Sequence, residues 1–482
     1  MKLDLLLTKV NVSEIINSKE IDIKGVSSNS KEIKENYIFV CINGYSDNGH
    51  RYIEEAVEKG AKAVVISEDV LFDDGVTTVV KVKDTRKALS VLCANFNSHP
   101  AEKMKLIGIT GTNGKTGTTY LLKNILEKAG YKVGLIGTNV NLIGNSVFPA
   151  KRTTPDAPEL SSLLSEMVRS GVDYAVMEVS SHSLVLNRVY GIKFDVGILT
   201  NITKDHLDFH KTMEAYAEAK ALLFENSAVS VLNADDEYFD FIKSKSKGEI
   251  ITYGVKNGAD INAENTVISE NGISYIAKSE NESEAFYIPL PGGFYVYNSL
   301  CAAAAAKALG IPLAFSGRCF KNQKPVDGRC ERVKLPHNNF SVIIDYAHTP
   351  DGLINILKSV NEMKKNRVIT LFGCGGDRDK TKRPEMGKIA SENSDFVIIT
   401  SDNPRSENPD KIIENIVSGI EKNNYTIIPD RKRAIYFGIS ICEKGDILLL
   451  AGKGHENYQV LESGKIHFDE REVIREYYAE NK

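Results

Sequence analysis

Lys105-Leu106-Ile107-Gly108-Ile109-Thr110-Gly111-Thr112-Asn113-Gly114-Lys115-Thr116 is the stretch that decides the fold. Lys105–Thr110 reads as an apolar strand, and a glycine-rich turn follows it. The turn opens a helix whose Leu121, Leu122, Ile125, Leu126 and Ala129 share one face, with Gly130 as its C-cap. Strand, glycine turn and helix in that order make a phosphate cradle. Glycines let backbone N–H groups turn inward around phosphate oxygens, and the helix N-terminus adds the positive end of its dipole. Lys115 then reaches the β- and γ-phosphates, and Thr116 offers a hydroxyl to Mg²⁺. The strict GxxxxGK[ST] spacing is not met, because Ile109 stands where its first glycine belongs; the shorter Gly111-x-x-Gly114-Lys115-Thr116 remains. Gly111, Thr112, Asn113, Gly114, Lys115 and Thr116 are therefore the candidate ATP-phosphate residues. The bland alternative is a glycine turn with a solvated lysine. A phosphate loop alone does not separate a ligase from a motor, a kinase or a nucleotide switch.

Working outward, apolar runs recur at Val133–Ile136, Tyr174–Val179, Val196–Ile202 and Val229–Asn233, with helical patterns between them. That alternation predicts βαβ units and a parallel sheet. Toward the N-terminus, Tyr37–Ile42 and Ala63–Ile66 read as strands around a helical Tyr52–Lys59. Asn97-Ser98-His99-Pro100 reads as a linker. From Asp327-Gly328 the alternation resumes, with strands at Val342–Tyr346, Val368–Phe372, Phe396–Thr400 and Ile447–Ala451 and helices at Gly352–Lys364 and Pro409–Lys422. The expected architecture is α/β in three domains, 1–99, 100–327 and 328–482. These are a small α/β domain, a central P-loop-type parallel-sheet ATPase domain and a C-terminal Rossmann-like domain.

Composition narrows the function. The 482 residues are 42% hydrophobic and 26% charged, which is globular. Sixty basic against 64 acidic side chains give a net charge of −4, without the basic excess of a nucleic-acid binder. The most apolar stretch, Cys301–Leu309, is broken by Lys307 and falls short of the ~20 residues that span a bilayer. Leu5-Leu6-Leu7, preceded by Asp4, is too short for a signal peptide. Seven scattered cysteines without a CxxC fit a reduced compartment. A cytoplasmic protein with no membrane or nucleic-acid partner is expected.

The strand ends carry the chemistry, since ligands of open α/β sheets gather there. Met177-Glu178-Val179-Ser180-Ser181-His182 closes one strand, and Glu178 could hold a Mg²⁺ bound to ATP phosphates. The next strand runs into Lys204-Asp205-His206-Leu207-Asp208-Phe209-His210. His206 and His210 lie four apart, but no HExxH accompanies them, so zinc carries little weight. Lys220, in the helical run Tyr216–Phe224, reads by itself as a surface lysine. In the third block the strand ends are Asp345-Tyr346-Ala347-His348-Thr349-Pro350-Asp351, Gly373–Asp379, Asp402-Asn403-Pro404-Arg405 and Gly452-Lys453-Gly454-His455-Glu456. Repeated Asp, Arg, His and Gly on one rim suit a small polar guest bearing both charges.

Gly111–Thr116, Glu178–His182, Asp205-His206, Lys220, Asp327-Gly328-Arg329 and Asp345–Asp351 together resemble the Mur ligases, in order and over nearly the whole chain. These ATP-dependent amide-forming enzymes build the peptidoglycan stem peptide. Thr153-Thr154-Pro155 and Asp402–Arg405 resemble the branch that adds the third stem residue, and Asp-Asn-Pro-Arg is typical of addition of meso-2,6-diaminopimelate. The resemblance implies that ATP is bound by Gly111–Thr116 with Asn298, Arg329 and Asp345. It implies Mg²⁺ held by Thr116, Glu178, His206 and a Lys220 carbamylated by CO₂. Ser30, Thr153, Thr154, Ser180 and Arg188 would hold the UDP-muramoyl-dipeptide. Arg378, Asp402, Asn403, Pro404, Arg405, Gly452 and Glu456 would hold the amino acid. Domain 1–99 would take the UDP moiety, 100–327 ATP, and 328–482 the amino acid, in a monomer. Four positions depart from the family pattern: Asn29-Ser30-Lys31 replaces Asp-Ser-Arg, Leu186 replaces Gln, and Tyr295 replaces Asn. The implied chemistry is phosphorylation of a carboxylate by ATP, then attack of an amine on the acyl phosphate. Lys115 and Lys220 serve catalysis, and His348 is a candidate base, with a merely hydrogen-bonded structural histidine as its alternative. L-Lysine as the added residue and a folylpolyglutamate-type ligase are the competing readings.

Overall fold

The computed structural model describes residues 1–480 apart from 45, 46, 71, 73, 145, 270, 337 and 338. Its first sheet has five strands in the order Val12–Ile16, Thr78–Val82, Ala61–Ile66, Tyr37–Val40 and Gly25–Ser27. Only the Val12–Ile16 edge is antiparallel. The helix Thr85–Phe96 starts where Asp84 accepts the N–H groups of Arg86 and Lys87, which satisfies otherwise orphaned donors. At the expected linker, Ser98 and His99 both take positive φ before a 3₁₀ turn at Pro100–Lys103.

The central sheet has eleven strands. Its middle is parallel, with Lys105–Thr110 flanked by Tyr174–Glu178 and Phe194–Leu199. Every residue of Lys105–Thr110 except Lys105 is buried, as expected for a parallel strand covered on both faces. All the parallel strands point their carboxyl ends to one rim. The expected parallel sheet is present and is extended by antiparallel strands at both edges. Ile261–Ser269, Gly272–Lys278 and Ser283–Ile288 form an antiparallel meander at one edge, and Val140–Ile143 pairs antiparallel with both Val133–Ile136 and Ser146–Pro149 at the other. Ser283–Ile288 alternates between the core and solvent, which antiparallel strands with one wet face tolerate. Its Phe286 packs edge-on against Phe320 of the covering helix Leu313–Phe320.

The C-terminal sheet has six strands in the order Glu331–Val333, Ser341–Asp345, Ile447–Ala451, Val368–Phe372, Phe396–Ile399 and Tyr425–Ile427. All but the first are parallel. The helix expected from Gly352 starts earlier, at Pro350, because Thr349 caps it through Gly352 N–H and proline suits the first helical position. The helix expected to reach Lys422 ends at Val417; Gly419 packs so close to Pro384 that a Cβ there would lie 1.9 Å from its carbonyl oxygen. Beneath the rim, Arg431 and Glu470, both fully buried, pair at 2.8 Å, and Arg431 also donates to the carbonyls of Ser401 and Ala451. No described helix is long and apolar enough to cross a membrane.

Candidate active site

The rims of the central and C-terminal sheets face one another across a cavity of about 1370 Å³. The phosphate loop forms one wall. Gly111 (φ +148°) and Gly114 (φ +85°) occupy backbone that side chains rarely adopt, and Gly114 immediately precedes the helix Lys115–Lys128. A Cβ on Gly114 would lie 2.6 Å from Asn298 Oδ1, and one on Gly111 1.8 Å from Thr200 Oγ1, so only glycine fits. The helix is as expected, except that its C-cap is Ala129 and Gly130 follows it. Lys115 Nζ donates to the carbonyls of Gly111 and Thr112 at 2.9 and 2.8 Å. Burial, above all, lowers its pKa.

Glu178, at the end of its strand, is buried. Its Oε1 accepts from Thr116 Oγ1 and Thr138 N at 3.0 Å each, and its Oε2 from Thr138 Oγ1 at 2.9 Å. Lys220 is not the surface lysine its helix suggested: it is 1% exposed. Its Nζ donates to Gly111 O at 2.8 Å and lies 4.4 Å from the Tyr216 ring. Burial first, and then the charge of Lys115, push its pKa well below the usual lysine value, which favours the neutral amine. His206 takes φ +56° and meets Asp205 at 3.3 Å; burial lowers its pKa to about 4. His210 instead bonds Ser181 Oγ at 2.9 Å and is buried, a satisfied structural histidine. No group of three His, Cys, Asp or Glu side chains among the described residues could hold a metal by itself.

Beside Glu178 stand Thr153, Thr154, Ser180 and Arg188. Thr154 Oγ1 donates to Glu178 O at 2.9 Å and accepts from Ser180 N at 3.0 Å, while Arg188 reaches Thr154 O at 3.0 Å and Asp156 at 2.9 Å. All four line the cavity. Ser30 does not; it donates to Glu55 Oε2 at 2.9 Å in the first domain. Next to it Asn29 caps its own turn through Lys31 N–H, a job an aspartate does equally well.

The joint between the domains reaches into the loop. Arg329 follows Gly328 (φ +68°), stacks 4.7 Å over Tyr346 and donates to Thr116 Oγ1 at 3.2 Å. Tyr295, where the resemblance leads one to expect Asn, donates from its hydroxyl to Arg329 O at 3.2 Å. Asp345 accepts from Cys330 N and Ala347 N; burial raises its pKa while Arg329 opposes the rise. His348 Nδ1 faces Tyr346 O at 2.8 Å. A carbonyl only accepts, so Nδ1 carries the proton and Nε2 keeps its lone pair. Burial and Lys382 push its pKa down to about 4.

On the far wall are Arg378, Asp402, Asn403, Arg405, Gly452 and Glu456. Arg405 takes φ +52° and donates from Nη1 to Gly376 O at 2.7 Å and Asn403 O at 3.3 Å. Asn403 Nδ2 donates to Glu456 Oε2 at 2.9 Å. Pro404 does not line the cavity; it frames the turn, with its carbonyl accepting Glu407 N at 3.0 Å. Sequence reasoning missed Lys453, which is fully buried among Asp402, Asn403 and Glu456. Its only signal was a lysine between glycines, which reads as open loop.

Comparison with known proteins fits this arrangement. Residues 22–97, 109–306 and 328–454 match three Mur ligase family models: the Mur ligase family catalytic domain, the middle domain and the glutamate ligase domain. UDP-N-acetylmuramoyl-L-alanyl-D-glutamate--2,6-diaminopimelate ligase of Clostridium botulinum is 47% identical over 485 residues, covering 100% of both chains. The chain belongs to the Mur ligase family. The ligase of the same name from Bacillus licheniformis is 43% identical over 492 residues, again covering 100% of both chains. A solved structure of a UDP-N-acetylmuramoyl-L-alanyl-D-glutamate--2,6-diaminopimelate ligase superposes with a TM-score of 0.71 at 30% identity, covering 100% of this chain and 99% of that one. Folylpolyglutamate synthase of Mycobacterium tuberculosis shares the fold, with a TM-score of 0.64 at 16% identity over 76% of this chain and 92% of that one. Likeness of fold alone does not fix a reaction; the full-length relatives at 43–47% identity carry more weight than this shared fold.

Proposed function

We infer that this chain is an ATP-dependent amide ligase that joins meso-2,6-diaminopimelate to UDP-N-acetylmuramoyl-L-alanyl-D-glutamate in peptidoglycan precursor synthesis. One observation carries the reading: a single cavity has a phosphate loop on one wall and the mixed-charge set Asp402, Arg405 and Glu456 on the other. Region 1–99 takes the UDP moiety, 100–327 ATP, and 328–482 the amino acid. The substrates are small molecules. The net charge of −4 offers nothing to nucleic acid. The protein works as a cytoplasmic monomer without a membrane partner.

The residues present fit ATP and Mg²⁺. The Gly111 and Gly114 backbone leaves the cradle free of Cβ atoms. Thr116 and Glu178 supply hard oxygen donors, His206 a nitrogen, and Lys220 as a carbamate would add an anionic oxygen. Mg²⁺ is usually held by one or two carboxylates together with substrate phosphates, which needs no three-residue cage, and none occurs among the described residues. When bound, the ion neutralises charge on the transferring phosphoryl group. Carbamylation needs a neutral amine, which the burial of Lys220 favours.

A carboxylate is a poor electrophile, because its leaving group would be oxide. Phosphorylation of the D-glutamyl carboxylate gives an acyl phosphate, whose leaving group is phosphate. Thr153, Thr154, Ser180 and Arg188 orient that carboxylate beside the phosphate loop. Lys115 has only to turn from its own loop carbonyls to meet phosphate oxygens. Asn298, against Gly114 and Gly117, and Arg329 and Asp345 from the joint hold the nucleotide. The neutral amine then attacks the acyl carbon, the phosphate leaves, and His348 Nε2 takes the proton. Closure of the two rims keeps water from the acyl phosphate. The test is ADP release: it should require both the UDP-muramoyl-dipeptide and meso-diaminopimelate. ADP formed without an amino acid would point to a switch or motor, and equal use of L-lysine would remove the diaminopimelate assignment.

A further inference from the structure

Lys453 is buried at the amino-acid end of the cavity, and no step above uses it. Its side chain has no solvent exposure, and its Nζ lies 3.2 Å from each of Asp402 Oδ1, Asn403 Oδ1 and Glu456 Oε2. An ammonium has three donors, and all three are spent on residues that face the cavity. Gly452 (φ +113°) and Gly454 (φ +55°) bracket it, so the backbone can turn the side chain inward. Burying an ammonium is costly even when it is paired, and an apolar side chain of similar size is often no worse for stability. A lysine here therefore points to a task beyond folding.

The bonds indicate the task. Glu456 Oε2 receives both Lys453 Nζ and Asn403 Nδ2, while Oε1, among the described residues, accepts only from the Tyr458 hydroxyl at 3.3 Å. One carboxylate oxygen is tied by two donors, and the other, with the single longer Tyr458 contact, keeps acceptor capacity for a guest. Asn403 is tied in turn, because its Oδ1 accepts from Lys453 and from Val460 N at 2.9 Å. The carbonyl of Asn403 meets Arg405 Nη1. Lys453 thus fixes the carboxylate and, through Asn403, the neighbourhood of the guanidinium.

We propose that Lys453 is a positioning residue that sets stereochemical selectivity at the distal carbon of the incoming diamino acid. The proposal rests on the diaminopimelate reading given above. Meso- and LL-diaminopimelate carry identical groups and charge; they differ only in the sides on which the distal ammonium and carboxylate project. A pinned Glu456 and Arg405 accept them in one order. A Glu456 free to rotate can follow the swapped ammonium.

The experiment compares kcat/KM of the full-length wild type and Lys453→Met with meso- and LL-diaminopimelate. The wild type should favour meso by ~100-fold or more, the scale on which displacement of a binding group by about an ångström is felt. In Lys453→Met the meso value should fall by ~100-fold and the LL value by much less, so that the ratio drops below ~10, while KM for ATP moves by less than ~twofold. A lysine that only holds the fold would lower both isomers alike, and an unchanged ratio overturns the proposal. Should the single variant fail to fold, Lys453→Met/Asp402→Asn removes one charge of each sign and relieves one of the two carboxylates left unpaired. Its ratio should stay collapsed; a wild-type ratio there overturns the proposal equally. A wild type that ligates neither isomer overturns the functional reading along with it, whereas meso-specific wild-type activity with an unmoved ratio overturns the role of Lys453 alone.

Discussion

Replacing Arg405 by alanine probes the end of the cavity proposed to hold the amino acid. The head of Arg405 is anchored by Nη1 on Gly376 O and Asn403 O, and its backbone N–H by Val460 O at 3.0 Å. Among the described residues its Nε and Nη2 make no hydrogen bond to protein. The residue holds φ +52°, a left-handed conformation that costs a non-glycine residue about 1–2 kcal/mol. Pro404 before it has a fixed φ, so the direction of the side chain is built in at a cost to stability. Two nitrogens of one planar guanidinium match the two oxygens of a carboxylate. Hydrogen bonds to charged groups contribute roughly 1.5–3 kcal/mol each. Arg405 is half-buried, so solvent screening argues for the low end, about 3 kcal/mol for the pair. That is about 100-fold in kcat/KM. L-Lysine has no distal carboxylate and never makes these bonds. Arg405→Ala should therefore lower kcat/KM for meso-diaminopimelate ~100-fold and change that for L-lysine by less than ~threefold. Steady-state ADP release at saturating ATP and UDP-muramoyl-dipeptide measures both. Equal losses for the two amino acids, or a wild type that prefers lysine, would refute the reasoning.

Lys115→Ala should abolish ATP turnover, by at least ~10³-fold, without moving the thermal midpoint, because among the described residues its Nζ bonds only the loop's own carbonyls; a well-folded variant with normal ligation removes the phosphate-loop role. Lys220 should carry a CO₂ adduct in a native intact-mass spectrum and lose it after an acid quench. An unmodified native protein, or full activity of Lys220→Ala at limiting Mg²⁺, rejects the carbamate. Glu470→Ala strands the fully buried Arg431 and should destabilise the C-terminal domain by about 3–5 kcal/mol, read from that domain's transition in urea. Because Arg431 also bonds Ser401 O and Ala451 O, the residues before Asp402 and Gly452, KM for the amino acid should rise with it; unchanged stability and KM would show the pair to be idle.

The parallel strands were legible because burial on both faces writes them as continuous apolar runs; Val368–Phe372 and Ile447–Ala451 match residue for residue. The antiparallel edges were not. Ile261–Ser269 carries Glu264, Asn265 and Thr266 on its exposed stretch, and such a half-wet strand resembles loop. The strand ends were legible as chemistry, and the phosphate loop stands where its letters put it. Lys220 came only from the family resemblance. Its helix buries Tyr216, Ala217, Ala219, Ala221, Leu223 and Phe224 nearly all round, so periodicity could not tell that this face meets the phosphate loop. Lys453 escaped because two glycines made it look like surface. Ser30 remains outside the cavity, and a role for it runs through the first domain alone.

The arrangement explains why one chain carries both rims. At the phosphate loop itself the two domains meet through polar groups. Asp351 Oδ2 accepts from the side chains of Asn113 and, at 2.9 Å, Thr203, both of the central domain. Lys204 pairs with Glu385 at 3.4 Å, and Arg329 reaches Thr116. Away from the loop the two domains share one apolar cluster, which includes Tyr295 and Val296 of the central domain and Ile356 and Val360 of the C-terminal domain. Thr116, Glu178 and Lys115 lie on one side, and Arg405 and Glu456 on the other, so neither domain alone can bring a nucleotide phosphate and an amine to one carbon. The acyl phosphate is exposed to water unless both rims are present. Contacts from the C-terminal domain to Asn113 and Thr116 tie the two rims together at the loop itself.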